Sequence, residues 1–233
     1  MKNQVEFKVS GRFALFTDPL TKIGGEKCSY HIPTYEALKG IAKSVYWKPT
    51  FVWIIDRVRV MRRIRTQSKS VKPLVYGGGD VRNSLAIYTY LTDVEYQVQA
   101  RFEWNMHRPD MERDRKTEAH WNIAQRMITK GGRQDVFLGT RECQGYAEPC
   151  AFGEGSGDYD GCGELAYGLM FHGFDYPDET GTNELHSRFW RPVMADGAVT
   201  FPRPEECTIR KFVREMIPKP PRSVGLEEEG LEA

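Results

Sequence analysis

Apolar and polar residues alternate along QVEFKVSGRFALFT at positions 4–17, as they do in a half-buried β-strand. The Ser10–Gly11 pair interrupts this alternation and predicts a bulge or a bend within the strand. Thr34 then opens a segment with helical spacing, TYEALKGIAKSVYW, whose apolar residues fall on one face. Because Pro49 cannot continue a helix, the pattern predicts a strand followed by a helix that begins after Thr34 and ends at residues 46–48.

The same periodicities predict two further strands and a second helix. The segment 49–65 begins as a buried apolar run and becomes an alternating strand with arginines on one face, and residues 66–84 form a polar, glycine-rich connection. Residues 94–104 alternate most clearly, and a helix is predicted over Thr117–Thr129. An extended segment at 135–146 completes a βαββαβ order. This order is typical of the ferredoxin-like fold, which many RNA-binding domains share.

The character of the chain changes after residue 147, where glycine and acidic residues become dense and short extended pieces alternate with turns. We therefore predict an α+β protein with a ferredoxin-like (RRM-like) domain over residues 1–147 and a small antiparallel β domain over residues 148–233. The second domain ends in an acidic tail, which we interpret as a solvated terminus: Glu227, Glu228, Glu229 and Glu232. A fold of this class does not by itself assign a function.

Composition limits the classes of protein to which the chain can belong. Its 233 residues are 40% apolar, which is enough to bury a core, and no apolar run approaches the roughly 18 residues of a membrane span. The first residues lack the apolar segment of a secretory signal, so we expect a soluble cytoplasmic protein without a membrane partner. The five cysteines and five histidines form no paired metal-ligand spacing. We expect neither a metal site nor a cofactor.

Charge is distributed unevenly, although the formal net charge is only +1. Seven basic residues and no acidic one lie between Arg57 and Lys72. Assembling them without counterions is unfavourable, so an anionic partner is the favoured explanation and an idle, solvated face is the alternative. Lys22 and Lys27 flank a glycine pair, which either binds a phosphate or merely forms a turn.

The predicted second helix carries the candidate chemistry, because Lys116 and His120 are four residues apart and would share one helix face. RNA can be cut without a metal when its own 2′-hydroxyl attacks the neighbouring phosphate. That reaction needs proton transfer, which suits histidine, and a cation, which suits lysine. Alternatively, His120 belongs to a core-facing stripe with Ala124, Met127 and Ile128, and Lys116 is a solvated charge. The Gly131–Gly132–Arg133 turn could hold a phosphate through its amides.

Five blocks of sequence resemble a known family: FALFTDPLTKIGGEK at 13–27, PTYEALKGIAKSVYWKP at 33–49, GGRQDVFLGTRECQGY at 131–146, HGFDYPDETG at 172–181 and FPRPEEC at 201–207. Over roughly residues 1–215 the chain is similar to the subtype I-C RAMP proteins of the fifth family of CRISPR-associated proteins, which process CRISPR precursor RNA. The resemblance implies a ferredoxin-like RAMP domain followed by a small β domain. It also implies metal-independent cleavage at the base of the repeat stem-loop, leaving a 2′,3′-cyclic phosphate and a 5′-hydroxyl. The partners it implies are the CRISPR RNA, held by its 5′ handle, and the other subunits of the subtype I-C Cascade complex.

The catalytic residues of that family are a tyrosine, a lysine and a histidine. By this resemblance the tyrosine is Tyr46 in SVYWKP and the histidine is His120 in AHWNI. Spacing alone would make Tyr46 an amphipathic surface residue at the end of its helix. The family lysine can directly precede the histidine, where this chain has Ala119, so the cation has to come from elsewhere. The candidates are Lys116, one helical turn earlier, Arg115 and Lys48.

Two classes of function follow. In the first, the chain is an endoribonuclease in which Tyr46 or His120 activates the 2′-hydroxyl, the other group assists the leaving oxygen and a cation stabilises the phosphorane. In the second, it is a non-catalytic scaffold that holds the 5′ handle and docks other subunits, with the basic strand as its RNA surface. Duplex DNA is a further candidate ligand of that surface. The residues expected to contact RNA are Lys22, Lys27, Lys48, Arg57, Arg59, Arg115 and Arg133.

Overall fold

A computed structural model describes residues 3–23, 25–72 and 85–218 of the chain. Its strands are β1 Gln4–Ala14, β2 Phe51–Val60, β3 Thr66–Val71, β4 Ala86–Trp104, β5 Val136–Phe137, β6 Gln144–Pro149, β7 Glu164–Ala166, β8 Met170–Asp175, β9 Glu184–Trp190, β10 Val193–Ala195, β11 Ala198–Thr200 and β12 Ile209–Glu215. Its helices are α1 Pro19–Lys22, α2 Tyr35–Val45, α3 Thr117–Thr129 and α4 Pro177–Thr180, with 3-10 helices at Pro109–Asp114 and Pro204–Glu206. None of the helices in these ranges is long and apolar enough to cross a membrane. The glycines predicted for the 66–84 connection and the acidic tail lie outside the described residues.

Most strands of the described chain lie in one antiparallel sheet of nine strands, in the order β5-β6-β1-β4-β2-β11-β10-β7, with β3 paired to β4. Strand β4 organises this sheet, because it pairs with β1, β2 and β3. Helix α2 packs on β2, helix α3 packs on β1 and β6, and the two helices contact each other. The protein therefore has a mixed α/β fold dominated by antiparallel strands, as the alternation predicts.

Local sequence explains where the helix α2 begins and ends. Thr34 Oγ1 accepts a hydrogen bond from Ala37 N at 3.2 Å, as expected of an N-cap. The apolar residues Leu38 and Ile41 are buried in the main core cluster. The helix ends where Tyr46 becomes extended, although the Tyr46 amide still donates to Ala42 O. The predicted start of α2 is confirmed, although the helix ends at Val45, just before the predicted end at residues 46–48, and both predicted bounds of α3 are confirmed.

Three expectations about the strands are wrong. Of the two interpretations of Ser10–Gly11, a bulge or a bend, the bulge is wrong, because β1 pairs with β4 through both residues without a register shift. Glycine at position 11 allows close packing, since a Cβ there would lie 2.6 Å from Leu138 Cδ1 and would force that side chain to shift. Strand β4 begins at Ala86, well before residue 94, and part of the predicted 66–84 connection forms β3.

Residues after 147 form mainly antiparallel strands, as predicted, but these strands are divided between two sheets. Strand β11 pairs with β2 through Ala198 and Arg59, so that β11, β10 and β7 extend the main sheet. The edge of β2 would otherwise present unpaired backbone groups, which β11 satisfies. Strands β8, β9 and β12 form a separate sheet of three strands.

Two glycines give opposite predictions for the same substitution. Gly139 has φ +98°, and a Cβ there would overlap Leu15 O, so Gly139→Ala should lower the free energy of unfolding by at least about 2 kcal/mol. Gly40 is exposed within α2, and nothing lies within 4 Å of its Cβ position. Gly40→Ala should therefore raise the free energy of unfolding by about 0.5–1 kcal/mol. Urea unfolding followed by circular dichroism measures both, and equal effects would contradict the packing of Gly139 on Leu15.

Candidate active site

The side chains of Tyr46 and His120 are in direct contact. Tyr46 ends α2, and His120 lies in the first turn of α3, where its amide donates to Lys116 O. The Tyr46 hydroxyl oxygen and His120 Nδ1 are 2.8 Å apart, and His120 Nε2 is 2.7 Å from Asp114 O. Because a carbonyl oxygen can only accept, Nε2 carries the imidazole proton. Nδ1 therefore accepts the hydrogen bond that the Tyr46 hydroxyl donates.

Aromatic rings enclose this pair and keep it from solvent. Tyr46 and His120 are each only 2% exposed. The rings of Phe51, Phe102 and Trp104 have centroids 5.4, 6.3 and 5.7 Å from that of the imidazole. The prediction that Tyr46 is a surface residue is wrong, because the chain turns at the end of α2 and directs the phenol toward α3.

His120 also occupies the position that the core-facing stripe predicts. It is buried on the same helix as Ala124 and Ile128, which are also buried. A buried imidazole is stable only when its polar atoms have partners, and Tyr46 and Asp114 satisfy both ring nitrogens. A core position and a proton-transfer role are therefore compatible for this residue.

Asp114 connects the pair to a nearby cation. Its carboxylate accepts a hydrogen bond from Thr50 Oγ1 at 2.7 Å, lies 3.2 and 3.3 Å from Lys48 Nζ and is 3.5 Å from His120 Nε2. Partial burial opposes ionisation, but the Thr50 hydrogen bond and the Lys48 ammonium outweigh it and lower the pKa of Asp114. Sequence reasoning missed Asp114, because nothing distinguishes it from the other charged residues of NMHRPDMERDR.

The surroundings raise the pKa of the Tyr46 phenol. Burial is the largest cause, the Asp114 carboxylate adds to it, and the positive charge of Arg133 partly offsets both. The phenol consequently keeps its proton near neutral pH. This state suits a group that passes a proton to His120 better than one that acts as a free phenolate.

The cations expected to assist the pair occupy three different environments. Lys116 is exposed and is the N-cap of α3, with φ −112° and ψ 96°, so it lies at the edge of the helix, one turn before His120. Lys48 is bound to Asp114. Arg115 Nη2 donates to two carbonyl oxygens of the preceding turn, both at 3.1 Å. Lys48 and Arg115 are thus engaged within the protein.

The protein itself neutralises part of the basic stretch 57–72. Arg59 is 8% exposed, and its Nη2 lies 2.7 and 2.8 Å from the two carboxylate oxygens of Asp160. Arg62 pairs with Glu95 at 3.1 Å. The premise that these charges lack counterions is therefore wrong for Arg59 and Arg62, whose acidic partners are distant in sequence.

Three other residues expected to contact RNA lie outside the Tyr46–His120 contact. Lys22 is exposed at the end of α1, and Lys27 Nζ lies 4.9 Å from the centroid of an aromatic ring, that of Tyr88. The Arg57 guanidinium lies 4.5 Å from the centroid of the Phe152 ring, and its Nε donates to a glutamine of β4. Any contact of these three cations with RNA would therefore be made at the protein surface and not at the Tyr46–His120 pair.

The Gly131–Gly132–Arg133 turn does not offer its amides to a ligand. The two glycine amides donate to carbonyl oxygens near the end of α3, and Arg133 N donates to Val45 O at 3.0 Å and to Ser44 O at 3.2 Å. Gly132 has φ +115°, which glycine adopts readily and other residues do not. The expectation that these amides hold a phosphate is wrong, because backbone carbonyls already satisfy them. What the turn exposes is the Arg133 side chain.

The described residues contain no group of three or more His, Cys, Asp or Glu side chains that could hold a metal ion. All five cysteines are free thiols.

The sequence of this chain matches a known protein family from residue 4 to residue 202. The model of that family is described as CRISPR-associated protein (Cas_Cas5). The chain belongs to the Cas5 family. The resemblance inferred from the five sequence blocks is therefore confirmed at the level of the family.

Two curated relatives of this Cas5 chain carry the name CRISPR pre-crRNA endoribonuclease Cas5d. The relative from Thermus thermophilus is 30% identical over 200 residues, which are 81% of this chain and 80% of the relative. The relative from Mannheimia succiniciproducens is 32% identical over 108 residues, which are 43% of this chain and 47% of the relative. The match to the second protein thus spans about half of its length.

Two solved structures are similar to this Cas5 chain in both fold and sequence. A structure described as a CRISPR-associated protein superimposes with a TM-score of 0.75 and 36% identity, covering 89% of this chain and 96% of the other. A functionally uncharacterized protein from Streptococcus mutans superimposes with a TM-score of 0.71 and 38% identity, with the same coverage of 89% and 96%.

The buried contact between Tyr46 and His120 predicts coupled effects on stability. Tyr46→Phe leaves His120 Nδ1 without its donor, and His120→Ala leaves the phenol and Asp114 O without partners, so each should lower the free energy of unfolding by about 1–3 kcal/mol. Both changes remove one shared hydrogen bond, so the double variant should lose less than the sum, by about 0.5–3 kcal/mol. Urea unfolding of the four proteins measures this coupling. Additive losses would show that the contact contributes nothing.

Proposed function

We propose that this Cas5 chain is a metal-independent endoribonuclease that cleaves CRISPR repeat RNA at the base of its stem-loop. The observation that carries the proposal is the Tyr46–His120 contact, in which one imidazole nitrogen donates to Asp114 O and the other accepts from the phenol. The two curated relatives are named pre-crRNA endoribonucleases, which supports precursor CRISPR RNA as the substrate.

The proposed chemistry is attack of a 2′-hydroxyl on the adjacent phosphorus. The O2′–P bond forms and the P–O5′ bond breaks, so the products are a 2′,3′-cyclic phosphate and a 5′-hydroxyl. The proton of the 2′-hydroxyl passes to the Tyr46 oxygen while the phenol proton passes to His120 Nδ1, and the leaving 5′ oxygen takes a proton from water. The resulting imidazolium faces the Asp114 carboxylate, 3.5 Å from Nε2, and later returns its proton to solvent.

The arrangement of the N-terminal half supports a ferredoxin-like RAMP domain as part of this proposal. In chain order β1, α2, β2, β4, α3 and β6 give βαββαβ, and the four strands lie in the order β6-β1-β4-β2 with both helices packed on the sheet. We place the boundary to a small β domain near residue 147. After cleavage the chain would stay on the 5′ handle as a subunit of the subtype I-C interference complex.

Incubation of the purified protein with the repeat RNA of its own locus, in EDTA, tests this function. The parent protein should release products with a cyclic phosphate and a 5′-hydroxyl. Tyr46→Phe and His120→Ala should lower the single-turnover rate by about 10²–10⁴-fold, because each interrupts the proton path. Thr129→Ala, an exposed change at the other end of α3, is the matched control and should cut like the parent.

Two results would contradict the assignment. Equal cleavage rates for Tyr46→Phe, His120→Ala and the control would show that neither residue takes part in the reaction. Cleavage that stops in EDTA and returns when Mg²⁺ is added would show that the reaction depends on a metal ion.

A non-catalytic scaffold is the second candidate function, and the burial of the pair favours it. With 2% exposure, Tyr46 and His120 reach a phosphate only if the site opens, and Ala119 occupies the position at which the family lysine can lie. The chain would then only clamp the 5′ handle. Salt-sensitive RNA binding fits both functions, so it does not separate them. RNA that the parent protein binds and leaves uncut would favour the scaffold.

A further inference from the structure

The proposed cleavage requires a positive charge at the phosphate, because the phosphorane carries more negative charge than the substrate. Lys48 is held by the Asp114 carboxylate, and Arg115 is held by two backbone carbonyls. Lys116 is exposed at the N-cap of α3, and no hydrogen bond or ion pair with another described residue holds its ammonium beside the pair. Two of the three cations that the sequence proposes are therefore engaged within the protein, and no contact fixes the third beside the pair.

Arg133 meets the requirement through its position. Its amide donates to Val45 O and Ser44 O, which fixes the residue against the end of α2, immediately before Tyr46. Its side chain is exposed, and no hydrogen bond or ion pair with another described residue engages it. Burial and the Asp114 carboxylate raise the pKa of the Tyr46 phenol, and the charge of Arg133 acts against them. Arg133 is therefore both an available cation and one whose field reaches the reacting phenol.

Arg133 also borders open space that an RNA strand can occupy. A cleft of about 580 Å³ is lined by residues 130–136 and by Gln144, Gly145 and Tyr146. Tyr146 is 61% exposed, and an exposed aromatic ring beside cations is a surface on which unpaired bases stack. The cleft thus combines positive charge with an aromatic surface.

We propose that Arg133 binds the non-bridging oxygens of the scissile phosphate and supplies the positive charge of the reaction, with the adjoining cleft as the path of the flanking single strand. This role rests on the proposed cleavage function. A guanidinium suits it because its planar fork can give two parallel hydrogen bonds to phosphate oxygens. Arg133 exchanges no proton: the 2′-hydroxyl proton goes to Tyr46 as O2′–P forms, and the P–O5′ electron pair leaves with the 5′ oxygen, which water protonates.

Single-turnover cleavage of the repeat RNA by the full chain tests this role. Arg133→Ala should lower the rate by about 10²–10³-fold, as removal of a group that stabilises transition-state charge does. Its affinity for RNA should fall far less, because one phosphate contact among many is lost. Arg133→Lys should cut at an intermediate rate, since lysine keeps the charge without the fork. Lys116→Ala should cut at the rate of the parent.

Sulfur substitution at one non-bridging oxygen of the scissile phosphate gives a readout that a merely structural role would not change. Sulfur in place of the oxygen that Arg133 contacts should lower the cleavage rate of the parent protein, because sulfur is the weaker hydrogen-bond acceptor. It should not lower the cleavage rate of Arg133→Ala any further. Arg126→Ala removes another exposed arginine, from α3, and is the matched control for net charge. It should keep both the rate and the sulfur effect of the parent. Thermal melting establishes that each variant is folded.

The outcomes separate this inference from the function on which it rests. If the parent cuts and Arg133→Ala cuts equally fast, Arg133 is not the cation although the function holds, and a loss of rate in Lys116→Ala would assign the role to that lysine. If the parent binds the RNA and does not cut it, the function fails and this role of Arg133 fails with it. If Arg133→Ala does not fold, Arg133→Lys replaces it in the sulfur experiment. A sulfur effect smaller than that of the parent would then support the role of Arg133, and an unchanged effect would overturn it.

Discussion

The hydrogen bond from His120 Nε2 to Asp114 O is the constraint on which the rest of the site depends. An imidazole that is 2% exposed needs partners at both nitrogens, and this bond determines which nitrogen carries the proton. Nδ1 is left to accept from Tyr46, so that the phenol and the imidazole act as one unit. Because Asp114 ends the 3-10 helix that precedes α3 and Tyr46 ends α2, the same unit holds the ends of two helices together.

Ion pairs within the fold divide the basic residues into engaged and available ones. Arg59 binds Asp160 through two short contacts in a largely buried position, and Lys48 binds Asp114. A cation held in this way can bind a phosphate only by giving up its partner, whereas an exposed cation loses mainly water. The stretch 57–72 is therefore less basic toward a ligand than its sequence indicates. An RNA surface of this protein depends on the exposed cations more than on the count of basic residues.

Features that depend on local interactions could be predicted from the sequence, and features that depend on distant ones could not. Periodicity and capping gave the start of α2 and the bounds of α3, because both act within a short window. Strand β3 has no apolar alternation in its sequence, TQSKSV, and most of its residues are exposed, so the sequence predicts a connection where the structure has a strand. The partners Arg59 and Asp160 are 101 residues apart, and Lys48 and Asp114 are 66 apart, so no local pattern encodes them. For the candidate site, periodicity found a buried histidine, and only the family resemblance selected Tyr46.

Burial of the Tyr46–His120 pair determines how it can react. In surroundings of low dielectric a phenolate is unfavourable, so burial raises the pKa of Tyr46 and the phenol keeps its proton. The coupled transfer proposed for cleavage would avoid the phenolate, because a substrate proton would replace the proton that moves to His120, and the new charge would appear on the imidazole. An anion close to the far side of the imidazole, which stabilises the imidazolium, therefore matters more for such a pair than a low pKa of the phenol. Asp114 can be that anion, since its pKa stays low despite partial burial through its contacts with Thr50 and Lys48. In the proposed cleavage Lys48 would contribute through Asp114, by keeping the carboxylate ionised, and the charge at the phosphate would come from a cation that is free to meet the RNA.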